Sequence, residues 1–78
     1  MNSLLKIRAV SSATSLARST IYRDIRDGIF PRPVKIGKVS AWPATEVAAI
    51  NAARINGKSE DEIRQLVASI HEQRRAAA

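Results

Sequence analysis

The chain has 78 residues, with 13 lysines and arginines against seven aspartates and glutamates, no cysteine and a single histidine, His71. At that length it makes one small domain that buries about 60–65% of its unfolded surface, too little for a cofactor-binding fold beside a substrate domain. The composition excludes disulfides, thiolate zinc sites, thiol nucleophiles and multi-histidine metal centres. No uncharged run is long enough to cross a bilayer.

Taken in chain order, Ile7 and Val10 fall at helical spacing and predict a short helix from about Lys6 to Ala13. Ser11, Ser12, Thr14 and Ser15 then favour a turn, because their hydroxyls compete for backbone partners. A second helix is expected from about Ala17 to Asp27, with Leu16, Ile21, Ile25 and Ile29 on one face and Arg18, Tyr22, Arg23 and Arg26 on others. Gly28 suits the left-handed residue that ends such a helix. Two short helices joined by a tight turn form a helix-turn-helix candidate.

Pro31 and Pro33 keep the next segment extended. Val34, Ile36, Val39 and Ala41 alternate with Arg32, Lys35, Lys38 and Ser40, which predicts a hairpin turning at Gly37-Lys38. Pro43 opens a third helix running to about Asn56, and Asn56-Gly57 ends it. Ser59 and Glu62 form a capping box for a last helix from Glu60 to about Gln73, followed by a frayed alanine tail. Ile63, Leu66, Val67 and Ile70 make its apolar stripe. The fold class is therefore mainly α with a small β-hairpin: a winged helix-turn-helix followed by C-terminal helices. Residues 1–57 are expected to form the winged unit. Residues 58–78 form a helix that packs on it or joins two copies.

The expected core is Val10, Leu16, Ile21, Ile25, Phe30, Ile36, Trp42, Val47 and Ile50. Trp42 and Phe30 are read as its large anchors rather than as base-stacking residues. Tyr22 suits both packing and contact with a phosphate. His71 is read as a partly exposed bystander, and Asp24 and Asp27 as partners of arginines in their own helix.

Charge divides the chain. Met1 to Trp42 carries eight basic residues against Asp24 and Asp27, a net of +6, whereas Pro43 to Ala78 carries five of each sign. Such asymmetry points to a polyanion, and nucleic acid is the expected partner. The DNA-contacting candidates are Arg18, Ser19, Thr20, Tyr22, Arg23 and Arg26 on the second helix, which would enter the major groove, with Arg32, Lys35, Lys38 and Ser40 on the hairpin. No nucleophile–base pair, carboxylate dyad or phosphate-cradling glycine loop is present, so no enzyme activity, cofactor, metal site or small-molecule ligand is expected. Besides double-stranded DNA, a homodimer through the last helix is the partner expected. No membrane association or signal peptide is expected, and the expected compartment is the cytoplasm.

The run from Leu16 to Val47 resembles the AlpA family of small prophage regulators, within the excisionase and MerR-like winged-helix group. The resemblance rests on Arg18-Ser19-Thr20-Ile21-Tyr22-Arg23, on Gly28-Ile29-Phe30-Pro31-Arg32-Pro33-Val34-Lys35-Ile36-Gly37, and on Trp42 with Glu46-Val47. It implies a DNA-binding transcription regulator of a phage or integrative element. The neighbouring alternative is an excisionase-like directionality factor that bends DNA, and a protein-interaction adaptor is the reading from another class. Three positions depart from the pattern, one of them Ile50, which stands where an aromatic is common and keeps burial but not shape. Ser15 stands where the turn usually has glycine, so a left-handed residue there is expected to be strained or absent. Ala17 stands where a serine usually caps, so Ser19 would cap later and shorten the helix.

Overall fold

The computed structural model describes residues 3–77. The elements run β1 (Leu4–Leu5), α1 (Ile7–Thr14), α2 (Arg18–Arg26), β2 (Val34–Ile36), β3 (Val39–Pro43), α3 (Ala44–Ile55) and α4 (Glu60–Ala77). This is a winged helix-turn-helix with two further helices. The hairpin is larger by one strand than the sequence pattern indicates. Leu4–Leu5 pairs antiparallel with Pro43 and Trp42, giving a sheet of order β1-β3-β2. A two-residue strand has no periodicity to read. It forms because the free edge of β3 needs partners for its backbone groups.

The α1–α2 turn is fastened by hydroxyls. Ser11 Oγ donates to the Leu16 carbonyl at 2.6 Å, Thr14 Oγ1 donates to the Val10 carbonyl at 2.8 Å, and the Leu16 N–H donates to Thr14 Oγ1 at 3.3 Å. Of the two expected outcomes at Ser15, a strained left-handed residue or none, the first is found: Ser15 adopts φ 61° and ψ 21°. The hydroxyl bonds on either side hold it there. Ala17 is the N-cap of α2 and supplies no side-chain bond, yet the helix starts at Arg18 and is not shortened to a Ser19 cap.

The hairpin turns at Gly37-Lys38, between the paired residues Ile36 and Val39. Gly37 has φ +62°, and Lys38 is not among the positive-φ residues, the sign pattern of a type II′ turn. The capping box is closed in both directions: the Ser59 N–H donates to Glu62 Oε1 at 3.0 Å and the Glu62 N–H donates to Ser59 Oγ at 3.2 Å. The Ser59 amide, then its hydroxyl, hold the Glu62 carboxyl below the usual carboxylate range. The helix it starts continues to Ala77, so alanines 76 and 77 extend α4 rather than fray. Ala78 lies outside the described residues.

The core contains Val10, Ile21, Phe30, Trp42, Val47, Ile50, Ile63, Val67 and Ile70, with Leu16, Ile25 and Leu66 packed at its margin. Three residues of the α4 stripe are thus buried against the chain's own core. Ile36 is not a core residue: it is 49% exposed, because the hairpin runs out past the helices. Trp42 is fully buried between Phe30 and Tyr22, with ring centroids 6.5 and 6.3 Å away in edge-on geometry. Its indole N–H donates to the Pro31 carbonyl at 2.9 Å.

Two substitutions probe this packing by urea or thermal unfolding. Trp42→Ala removes the largest buried side chain and its polar tie, and costs about 3–5 kcal/mol, comparable with the whole stability of so small a domain. Ser15→Gly relieves the left-handed strain and raises stability by up to about 1 kcal/mol. A lowered midpoint for Ser15→Gly would show that the hydroxyl-bonded turn carries no strain.

Candidate nucleic-acid interface

Helix α2 sorts its side chains by charge. Arg18, Ser19, Tyr22, Arg23 and Arg26 are exposed and Thr20 is half-buried, whereas Ile21 and Asp24 are buried. At 3.6 residues per turn the five exposed residues cover one continuous arc of about 140°. The carboxylate of Asp24 is turned away from that arc. Its partner is Arg54 on α3, Nη2 to Oδ2 at 3.3 Å, with Arg23 Nε more distant at 3.8 Å. The expected pairing with neighbouring arginines is present for Asp27, whose Oδ1 lies 3.6 Å from Arg26 Nε, and for Asp24 with Arg23, but the closer partner of Asp24 is Arg54 from another helix. The same Arg54 guanidinium donates to the Ile29 carbonyl at 3.5 Å. A buried carboxylate needs this cross-helix cation, because without it the charge would lie in the core unpaired.

The strand register relates the hairpin to α2. Side chains alternate faces along a strand, so Ser40 and Trp42 of β3 share one face. Lys35 is paired with Ser40 and shares that face. Trp42 packs edge-on against Tyr22 of α2, so Lys35 and Ser40 continue the sheet face that meets α2. They are joined there, Lys35 Nζ donating to Ser40 Oγ at 2.6 Å. Lys38 is exposed in the turn, and Arg32 is exposed ahead of β2. The structure therefore groups Arg18, Ser19, Tyr22, Arg23 and Arg26 on one helix face and Lys35 with Ser40 beside it. Lys38 stands apart at the tip and Thr20 turns partly inward.

One residue of this surface was not signalled by motif. Arg8 of α1 lines a shallow cleft with Ile7, Ser11, Ser12 and Arg18, placing a second guanidinium near the start of α2. Only its contribution to the charge count marked it in the sequence.

His71 is also more than a bystander. Pro31 and Pro33 have no N–H, so Arg32 supplies the one donor of that triad, and it donates to His71 Nε2 at 3.1 Å. The bond ties α4 to the root of the hairpin and requires a neutral imidazole with its proton on Nδ1. Burial holds the His71 pKa below its ordinary value of 6.5, and the charges of Arg32, Arg74 and Arg75 act in the same direction against Glu46. Arg74 in turn pairs with Glu46 at the start of α3, Nε to Oε2 at 3.0 Å.

Residues 3–54 match the family model of the prophage CP4-57 regulatory protein, AlpA. The chain belongs to the AlpA family. An uncharacterized protein of Enterobacteria phage P4, ORF88, is 46% identical over 55 residues, which span 69% of this chain and 62% of that protein. The chain thus matches less than two thirds of that relative's length. No solved structure matches it. The AlpA match takes in α1, α2, the sheet and nearly all of α3, and α4 lies beyond it. The family is one of phage-associated regulators. Among the described residues no group of histidine, cysteine or carboxylates is arranged to hold a metal ion, and no helix is long and apolar enough to cross a membrane.

The His71 bond makes stability depend on pH with a defined sign. A folded-state pKa below 6.5 means that the unfolded chain takes up the proton first. Stability is full above that value, falls as pH drops from it towards the folded pKa, and levels off below. Urea unfolding of wild type and His71→Gln between pH 7.5 and about 5 measures this. The slope is expected in the wild type and flattened in the variant. Equal slopes would remove His71 from the account.

Proposed function

We propose that the chain is a sequence-specific DNA-binding transcriptional regulator of a prophage or mobile element. In this reading α2 enters the major groove and the hairpin, as a wing, lies on the adjacent groove or backbone. The supporting observation is the sorted surface of α2, where three arginines, a serine and a tyrosine face outward along one arc while Asp24 is withdrawn to Arg54. Arginine forks suit guanine edges, and serine and tyrosine hydroxyls suit phosphates or bases. No side chain caps the first amides of α2, which leaves them able to meet a phosphate. Arg8 beside Arg18 adds a backbone contact from α1. Lys35 and Ser40 extend the same positive surface, Lys38 reaches beyond it, and exposed Arg32 adds charge at the hairpin root. Membership of a family of prophage regulators agrees with this chemistry.

Fluorescence anisotropy on matched and scrambled duplexes tests the reading. With roughly four to six phosphates neutralised, log affinity falls against log salt with a slope near −4 to −5. Arg18→Ala and Arg23→Ala each cost about 1–3 kcal/mol on the matched site and much less on the scrambled one. Lys38→Ala weakens both alike and shallows the slope by about 1. A slope near zero would instead favour a protein-interaction adaptor. Equal losses on both duplexes would assign the two arginines to phosphates.

A further inference from the structure

The hairpin has its polarity inverted. An antiparallel sheet with one face on a core normally turns its polar residues to the other face. Here the face that carries Trp42 and Leu5 carries Lys35 and Ser40 further out, while the outer face carries Leu4, Val34, Ile36, Val39, Ala41 and Pro43. Ala41 on that outer face is buried and Val34 and Pro43 are half-buried, but Ile36 is 49% and Val39 is 41% exposed. Neither belongs to the core or its margin. They are paired directly across the two-residue turn, so their side chains form one apolar block at its base. Leu4, the other exposed residue of this face, pairs with Pro43. It lies about 13 Å down the strand from Val39 and is a separate spot.

We propose that this block is a wedge for DNA: Ile36 and Val39 press into the minor groove of the bound duplex, partly unstack a base step and bend the helix axis. The inference rests on the DNA-binding reading above and adds a mode of contact to it. Three features of the tip favour a nucleic-acid occupant. No acidic residue occurs between Asp27 and Glu46, whereas Arg32, Lys35 and Lys38 all do. The apolar pair is thus flanked only by cations, which suit a groove walled by phosphates and would repel the same tip of a second copy. The tip is also slender: Gly37 has no side chain, and nothing lies within 4 Å of where one would start. Finally, Lys35 and Ser40 are the next pair along the same two strands, on the opposite face, so a hairpin whose inner face meets the backbone presents its tip to the groove alongside.

The bend follows from size. Paired strands lie about 4.8 Å apart before side chains are added, and a B-form minor groove is only about 6 Å wide. A two-stranded tip bearing isoleucine and valine enters only if the groove opens, and apolar wedges of this kind open it by kinking the duplex towards the major groove. Bending is also the property that distinguishes a recombination directionality factor from a regulator that only occupies its operator.

The test compares the wild type with the double variant Ile36→Thr, Val39→Thr. Threonine keeps the β-branch and the strand preference while removing the apolar surface. A duplex selected from random sequence by the wild type is labelled at both ends for energy transfer and carries 2-aminopurine at successive steps. The wild type is expected to shorten the end-to-end distance and to brighten 2-aminopurine at one step. The variant is expected to bind roughly tenfold more weakly with an unchanged salt slope, and to lose most of the bend and the brightening. Lys38→Ala is expected to show the reverse, a shallower salt slope with the bend retained. If the double variant melts early, Val39→Thr alone carries the same comparison. A straight wild-type complex, or a variant that bends DNA as the wild type does, overturns the wedge and leaves DNA binding standing. Absence of any salt-dependent complex with duplex overturns the binding reading and the wedge together.

Discussion

The hydrogen bond from the Trp42 indole to the Pro31 carbonyl is the constraint on which the arrangement of this domain depends. An indole is large enough to anchor a small core, but its N–H must find an acceptor once buried. Pro31 lies in the connection between α2 and β2, and Trp42 lies on β3. One side chain therefore ties the end of the helix-turn-helix to the sheet. Tyr22 of α2 and Phe30 of the connection close on the ring from two sides. A two-stranded hairpin by itself is marginal in water. This one is ordered because its base is held by the indole and by β1, while its tip is left free of the core.

The polar side chains of α3 and α4 then fix what the indole leaves open. Asn51 Nδ2 donates to the Ala13 carbonyl at 2.9 Å, near the end of α1. Arg54 holds Asp24 in the middle of α2, and Arg64 Nε donates to the Asp27 carbonyl at 3.3 Å, at the end of α2. His71 holds Arg32 at the hairpin root, and Arg74 ties α4 back to Glu46. Each bond uses a polar group facing inward, which leaves the outward arc of α2 for arginines, serine and tyrosine. Three of these ties come from α4, beyond the stretch matched to the AlpA family. In this chain the last helix braces both elements of the proposed DNA interface, through its apolar stripe and through Arg64 and His71.

Features set by neighbouring residues were legible in the sequence. The capping box at Ser59 and Glu62 is local chemistry, and so are the Gly37-Lys38 turn and the helical spacing of Ile21 and Ile25. Trp42 and Phe30 were legible as core because so short a chain has few large apolar anchors. Features set across the fold were not. That Asp24 reaches Arg54 as well as Arg23 depends on how α3 crosses α2, 30 residues away in sequence. The role of His71 depends on two prolines 38 and 40 residues earlier that leave Arg32 the lone donor. Ile36 fits a strand pattern equally well inside or outside the core, and only the reach of the hairpin beyond the helices decides it. Ser15 shows the same limit: its hydroxyl-rich neighbours hold a conformation that residue preference disfavours.

The arc of α2 and the hairpin beside it are proposed to form one DNA-binding surface. Backbone amide shifts, followed by NMR while a selected duplex is titrated in at low salt, test it most directly. The largest changes are expected from Arg18 to Arg26 and from Lys35 to Ser40, with a smaller set around Arg8 and little change along the outer face of α4. Changes concentrated on α4, with α2 and the hairpin unmoved by a duplex that binds, would contradict it.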